Sequence, residues 1–248
     1  MSVTSPIIPY SDLNIGKKEQ VKKMFNTIAG RYDFMNRLLT LRIDILWRRK
    51  AVNLVKNYAH ESILDIATGT GDFAIELAKL SPVKITGIDI AEKMLEIGRE
   101  KVKQKGLSGK IELLEADSEN LPFPENTYDL ATSAFGVRNF ENLNKGLSEI
   151  YRVLKPGGRI LILEASEPSN MPFKKLYKAY MSKICPAIGG ALSENKAYDY
   201  LNRSVAAFPS GKDFEAELVK AGFADTSFIP LSMGVTSIYI AKKEDIGK

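Results

Sequence analysis

Three acidic residues, Asp65, Asp89 and Asp117, each stand at or just past the end of a short apolar run. The first opens the loop Asp65-Ile66-Ala67-Thr68-Gly69-Thr70-Gly71-Asp72. An apolar run, a turn with two glycines and a helix-like segment from Asp72 to Leu80 read as strand, tight loop and helix. Glycines let backbone come close to a ligand, and the start of a helix aims N–H groups at it. Nucleotide-like molecules bind in such places, outside the carboxyl ends of strands in doubly wound sheets. Asp89, ending the second run, can accept both hydroxyls of a ribose. Asp117, ending the third, is placed to accept from an exocyclic adenine amine, with Ser118 beside it. A strand-end acid can also serve the turn that follows it, and Asp117 is open to that use.

Which nucleotide is ambiguous from the loop alone. Gly69-Thr70-Gly71-Asp72-Phe73-Ala74 fits the G-x-G-x-x-A dinucleotide pattern, and Asp89 follows Gly69 by 20 residues, where a ribose-binding acid belongs. An NAD enzyme is therefore one reading, and a strand–turn–helix without any ligand is another. Asp65 before the first glycine and Asp72 after the second weigh against a pyrophosphate. S-adenosylmethionine carries a sulfonium and an ammonium group instead, and carboxylates attract such charges.

The chain has 248 residues, enough for one large α/β domain or two small ones. Its single cysteine, Cys185, rules out an internal disulfide framework and reads as a free, buried structural thiol. With one histidine, His60, set before the first strand and away from the strand ends, no metal site is expected. The start lacks the pattern of a signal peptide and no apolar run is long enough for a membrane span, so a cytoplasmic protein is expected. The net charge of +5 is a mild excess of Lys and Arg. It permits nucleic acid, a membrane surface or an anionic metabolite, or simply a solvated face.

These residues need elements to hold them. Residues 1–16 contain two prolines and read as a loose arm. Val21, Met24, Phe25 and Ile28 form an apolar stripe on a helix starting near Lys17, which Ala29 to Asn36 should break. A second helix is expected from Asp44 to Tyr58, with Trp47 and Leu54 on one face. Then strands (Ile63–Ile66, Lys84–Ile88, Ile111–Glu115, Tyr128–Ser133, Arg159–Glu164) alternate with helices (Asp72–Leu80, Ala91–Lys105, Asn142–Leu154). Such alternation implies a parallel sheet covered on both faces. Lys155-Pro156-Gly157-Gly158 reads as a helix stop and turn. A final helix, Lys212–Ala221, precedes two close strands, Phe223–Ile229 and Thr236–Ala241, expected as an antiparallel edge hairpin. The fold class is thus α/β: a doubly wound, mostly parallel seven-stranded sheet with an antiparallel edge hairpin. Domain organisation is expected as a helical cap over 17–58 and an inserted lid over 166–210 on one domain, 17–248. Within the insertion, Phe173, Leu176, Tyr177, Tyr180, Met181 and Ile184 fall on one stripe and Lys174, Lys175, Lys178 and Lys183 fall off it. This basic amphipathic helix either covers the core, or lines a greasy pocket or rests on a membrane surface.

Longer motifs carry a resemblance. The loop Asp65–Asp72, Asp89, Leu121-Pro122-Phe123-Pro124, the block Phe135-Gly136-Val137-Arg138-Asn139-Phe140 and Tyr151-Arg152-Val153-Leu154-Lys155-Pro156-Gly157-Gly158 resemble the S-adenosylmethionine-dependent C-methyltransferases of menaquinone and ubiquinone biosynthesis. Met24 to Asp33 with Asn36, then Trp47-Arg48-Arg49, is similar to the start of that family. Tyr198-Asp199-Tyr200-Leu201 and Phe208-Pro209 look like its substrate region. The resemblance covers about residues 20 to 240. The glycine loop is shared by many methyltransferases; the Phe135–Phe140 and N-terminal blocks are more specific.

The resemblance implies a class I, Rossmann-like methyltransferase that methylates a ring carbon of a polyprenylated hydroquinone, demethylmenaquinol in the menaquinone branch. The benzoquinol of the ubiquinone branch is the alternative, followed by another small molecule or RNA. S-adenosylmethionine is the implied co-substrate, with Asp65, Gly69, Thr70, Gly71, Asp89, Asp117 and Ser118 around it. Arg138, Asn139 and Asp33 are the implied catalytic candidates; Tyr32, Asn36, Phe135, Tyr177 and Tyr200 the substrate contacts. Arg138 would hold a phenolate-like oxygen or position a water, being too basic to act as a base itself, or it pairs with a neighbour such as Glu141. Asp33 would be a base or a cap. The partner is a polyprenyl quinol, with peripheral membrane contact and a homodimer left open and no nucleic acid. The chain departs from the family pattern at Ala134, where a serine is frequent, with Ser133 one residue earlier; at Thr40-Leu41-Arg42; and at Tyr239.

Overall fold

The computed structural model describes residues 7–82, 84–168, 170–184 and 195–245. Cys185 lies outside the described residues, as do 1–6 of the expected arm and 185–194 of the expected insertion.

Seven strands form one sheet: β1 (Ser62–Ile66), β2 (Lys84–Asp89), β3 (Ile111–Glu115), β4 (Tyr128–Ala134), β5 (Leu154–Ala165), β6 (Ala224–Leu231) and β7 (Thr236–Lys242). Their order is β3-β2-β1-β4-β5-β7-β6. β1 to β5 pair in parallel, and β7 runs antiparallel between β5 and β6. The strand order reverses between β1 and β4, and ligands bind at the carboxyl ends of strands beside such a reversal.

Alternation along each strand splits the core in two. Ile63, Ile85, Leu113, Leu130 and Leu161 pack on one face with Trp47, Ala51, Phe73, Leu77 and Leu95. Leu64, Ile88, Ala131, Ile160 and Ile162 pack on the other with Leu147, Ile150, Phe214 and Leu218. The first face is covered by helices α2 (Ile43–Val55), α3 (Asp72–Leu77) and α4 (Glu92–Gln104), the second by α5 (Leu143–Val153) and a late helix, Lys212–Lys220. With both faces dry, the strands read as nearly continuous apolar runs.

Helix α1 (Lys17–Leu39) runs without the break expected at Ala29–Asn36. A mid-helix glycine costs about 1 kcal/mol against alanine. Here packing outweighs that cost: Ala29 is buried with Met94 of α4 and touches Tyr32, whose ring meets Phe25 edge-on at 5.8 Å. The chain stops instead at Thr40 and turns through Leu41 and Arg42, both at positive φ, into α2. Residues 7–16 are tied down rather than loose. Pro9 is buried, the Tyr10 N–H donates to Gln20 Oε1 (2.9 Å), and Arg203 Nη2 donates to the Ile8 carbonyl (3.1 Å).

β5 begins at Leu154, earlier than expected. Tyr128 pairs with Leu154 but Leu130 pairs with Arg159, so Lys155–Gly158 is an excursion within the strand, with Gly157 at φ +78°. Helix α6 (Met171–Ala179) buries none of its side chains, and a π-turn, Tyr180–Ile184, continues it. α7 (Asn195–Ala207) and α8 (Lys212–Lys220) follow.

Candidate active site

The ends of β1, β2, β3 and β4 converge on two adjoining cavities. The smaller, about 60 Å³, is lined by Gly69, Asp89, Asp117, Ser118 and Ala134 together with Lys18 of α1. Asp89 accepts the Gly69 N–H on one oxygen and the Ala91 N–H on the other, both at 2.9 Å. Burial pushes its carboxyl up to about 6, against the pull of those N–H groups. Asp117 has both roles open to it. One oxygen accepts the Glu119 N–H in the following turn (2.9 Å), and the other takes the Lys18 ammonium (2.6 Å) at the cavity edge.

Three of the expected cofactor contacts turn away from this cavity. Asp65 is fully buried behind the loop, accepting the hydroxyls of Thr68 (2.6 Å) and Thr132 (2.7 Å). Thr70 sends its hydroxyl to Asp33 (2.6 Å). Gly71 caps α3 at φ +76°, a left-handed position that suits glycine. Asp72 is also spent, paired with Lys101 and with Arg37 (2.9 Å). Of the four acids near the loop and strand ends, Asp89 and Asp117 line the smaller cavity, and Asp65 and Asp72 do not.

The larger cavity, about 190 Å³, is mostly apolar. Met24, Ile28, Met35 and Leu39 of α1, Trp47 of α2, and Tyr177, Tyr180 and Met181 of the α6 segment supply much of its wall. Arg138, Asn139, Tyr32, Asn36, Phe135, Tyr177 and Tyr200 all line it. Asp33 lines neither cavity: its carboxylate receives Thr70 and Lys101 (2.8 Å), which corrects its expected place as a base beside the substrate. Tyr32, Phe135 and Asn139 line both cavities, so the two meet there.

Phe135 sits just past β4 at φ +63°. That conformation is costly for an aromatic residue and persists only where surroundings enforce it. Its N–H donates to the Leu163 carbonyl at 2.7 Å, and its own carbonyl accepts Arg138 Nη1. Gly136 follows because a Cβ there would lie 2.4 Å from Ala67 Cβ. Arg138 pairs with Glu164 at the end of β5 (2.6 Å), not with Glu141. Glu141 instead accepts the Lys17 N–H at 2.8 Å. Burial works against the Arg138 charge, but Glu164 outweighs it and the guanidinium is held above its ordinary range. Asn139 Oδ1 accepts the Tyr200 hydroxyl at 3.1 Å. Burial pushes that phenol up to about 12, so it stays a donor. Burial likewise raises Tyr32, whose hydroxyl bonds to Asn36. The Ser133 hydroxyl is buried without a partner and lines neither cavity, so it does not replace the serine missing at Ala134.

Sequence reasoning passed over Glu164, though it is one more strand-end acid of the kind that drew attention to Asp89. It also gave no role to Asp44 and Arg48, which line the larger cavity as an i, i+4 pair on α2 (2.6 Å). Gly98 of α4 was missed too: a Cβ there would come within 3.1 Å of the Thr70 carbonyl carbon, so this glycine lets α4 approach the loop.

The smaller cavity fits S-adenosylmethionine on its donor set. It offers carboxylates at the ends of β2 and β3, suited to ribose hydroxyls and an adenine amine. A seven-stranded sheet in this order, with that cavity at the reversal point, is the fold of the class I S-adenosylmethionine-dependent methyltransferases. Solved structures agree on the fold. A methyltransferase from Thermotoga maritima, described as a possible histamine N-methyltransferase, has a TM-score of 0.65 at 22% identity, covering 90% of this chain and 99% of that one. The [4+2]-cyclase SpnF has a TM-score of 0.69 at 16% identity, covering 97% and 98%. The model of the ubiE/COQ5 methyltransferase family matches residues 14–243, and the chain belongs to that family. A demethylmenaquinone methyltransferase of Bacteroides fragilis is 47% identical over 96% of this chain and 97% of its own length. A ubiquinone/menaquinone biosynthesis C-methyltransferase of Geotalea daltonii is 46% identical over 92% and 97%. The chain is a methyltransferase with S-adenosylmethionine as co-substrate.

Proposed function

We propose that this protein methylates a ring carbon of a polyprenylated hydroquinone, converting demethylmenaquinol to menaquinol. The observation that carries this reading is the join of the two cavities. A mostly apolar chamber meets the carboxylate-lined one at Tyr32, Phe135 and Asn139, where an aromatic ring carbon can face a methyl donor. The 47% identity to the Bacteroides fragilis enzyme supports the naphthoquinol as substrate. The Geotalea daltonii relative, whose name covers both quinones, keeps the benzoquinol as the second reading. The organisation expected from the sequence, a cap over 17–58 and a lid over 166–210 on one methyltransferase domain, suits a prenyl tail, because α1, α2 and the α6 segment wall the chamber.

S-adenosylmethionine supplies an electrophilic methyl group when bound. Asp89 and Asp117, at the ends of β2 and β3, would hold its ribose and adenine. Phe135 and Trp47, 6.2 Å apart between ring centres, give an aromatic wall for the head group. The Arg138 cation, fixed by Glu164, stabilises the quinol oxygen as its proton leaves, and so raises electron density on the adjacent ring carbon. Asn139, oriented by Tyr200, directs that oxygen. Asp33 lines neither cavity, so water rather than that carboxylate takes the hydroxyl proton. Once the ring carbon has taken the methyl group, with the carbon–sulfur pair left on sulfur, the ring carbon's own proton leaves to water and the oxygen is reprotonated, which restores the aromatic diol with net loss of one proton. The protein works in the cytoplasm, with the lysines of α6 resting on the membrane that stores the substrate.

An Arg138→Met/Glu164→Gln variant, which removes both charges together, tests the role of Arg138. It should lose about 100-fold in kcat, or ~2.7 kcal/mol, with unchanged S-adenosylmethionine affinity. A kcat within threefold of wild type would remove Arg138 from the reaction.

A further inference from the structure

Arg48 and Asp44 form a buried ion pair in the wall of an otherwise mostly apolar chamber, and the reaction outlined above does not use them. Arg48 is 8% exposed and Asp44 1%. A buried pair is a poor way to gain stability, since apolar residues of similar volume commonly do as well or better. A wall that served only a prenyl tail would have no use for one.

The pair is unevenly satisfied. One Asp44 oxygen accepts Arg48 Nη1 (2.6 Å) and the other accepts the Thr40 hydroxyl (2.8 Å). The guanidinium carries five donors, yet among the described residues only Nη1 makes a hydrogen bond, and the buried Nε has no partner. Arg138 shows the same pattern: Nη1 serves Glu164 and the Phe135 carbonyl, and Nε is buried without a partner. Phe135 joins the two groups. Its carbonyl holds Arg138, and its ring centre lies 5.8 Å from the Arg48 guanidinium carbon. The chamber therefore presents two fixed guanidinium groups beside one aromatic platform. A buried donor left without a partner is costly, and a ligand oxygen can recover that cost.

We propose that Arg48, held by Asp44 and Thr40, is a second polar anchor of the substrate head group and hydrogen-bonds the ring oxygen that Arg138 does not take. The ligand class is a para-dihydroxy aromatic ring, and the proposal rests on the hydroquinone reading above. Arg48 then selects for a diol over a mono-ol, as sites with unspent buried donors do.

Trp47 is the only tryptophan and lines the chamber, so its fluorescence reports binding without turnover. The probes are a short-tailed demethylnaphthoquinol and the matching mono-ol, which keeps only the hydroxyl next to the accepting carbon. Wild type should bind the diol at least tenfold more tightly. In Asp44→Asn/Arg48→Gln that preference should fall to about threefold or less, with mono-ol and S-adenosylmethionine affinities unchanged. If the double variant does not fold, Arg48→Lys, which keeps a charge beside Asp44, carries the test and should lose at least half of the preference on a logarithmic scale. Equal weakening for diol and mono-ol, or an unchanged preference, overturns the proposal. Failure of wild type to methylate a diol that it binds selectively would count against the reaction and not against Arg48.

Discussion

Asp65 shows how a strand-end acid can belong to the fold rather than to the ligand. It shares strand parity with Ile63, so its side chain turns into a covered face, where two threonine hydroxyls take up its oxygens. Asp89 ends the neighbouring strand and lines the cavity. The position of both acids was legible in the sequence; their facing was not, because it depends on which helix covers which face. The same limit hid Glu164 and the Asp44–Arg48 pair, whose partners are set by packing across the sheet and between helices. Burial first, against the two threonine bonds, pushes the Asp65 carboxyl up to about 6 from an ordinary value near 4. Between those values the folded chain keeps a proton that the unfolded chain has released. Stability therefore falls as pH rises through that window, by on the order of 2–3 kcal/mol, and is level above it. Urea unfolding at pH 4, 5, 6 and 7 should show wild type losing this much relative to Asp65→Asn. Parallel curves for the two proteins would contradict it.

At the scale of elements, α1 differs most from its sequence reading. Gly30 and the polar run after it suggest a stop, yet the helix continues because its apolar side packs on α4, and Lys101 of α4 also fastens its second half to the glycine loop. That ammonium meets Asp33 (2.8 Å), the Thr70 hydroxyl (3.1 Å) and Asp72. No local propensity encodes such a contact, since α1 and α4 are far apart in the sequence. The strands and α3 to α5, by contrast, were legible to within a few residues, apart from the early start of β5. Their apolar runs and glycine stops are local. The Lys101 cluster is about one-fifth exposed, which limits its worth to about 1 kcal/mol. Lys101→Met should speed amide exchange in 31–39 by roughly fivefold and leave α5 unaffected. Exchange equal to wild type would show that α1 is held by its apolar face alone.

For the whole molecule, no helix among the described residues is long and apolar enough to cross a membrane. The amphipathic pattern of α6 was plain in the sequence, but not what its apolar side would meet. Met171 and Leu176 stand 62% and 64% exposed, while Tyr177 and Tyr180 line the chamber. The Tyr180 hydroxyl donates to the Leu39 carbonyl (2.7 Å), which places this segment beside the end of α1, where Leu41 is also exposed. Exposed apolar side chains among Lys174, Lys175 and Lys178 suit an anionic bilayer. Changing these three lysines to Glu should weaken sedimentation with anionic vesicles by at least tenfold and leave the melting temperature within a few degrees. Unchanged sedimentation would separate the enzyme from the membrane.

On the proposed function, the joined cavities bring a quinol ring carbon to the methyl donor. Transfer of label from S-adenosylmethionine under reducing conditions, to short-tailed demethylmenaquinol and to a methoxy-benzoquinol, tests it most directly. Label on the ring carbon of the naphthoquinol, with much less on the benzoquinol, is the predicted result. No label in either quinol, with S-adenosylmethionine still bound, would contradict it.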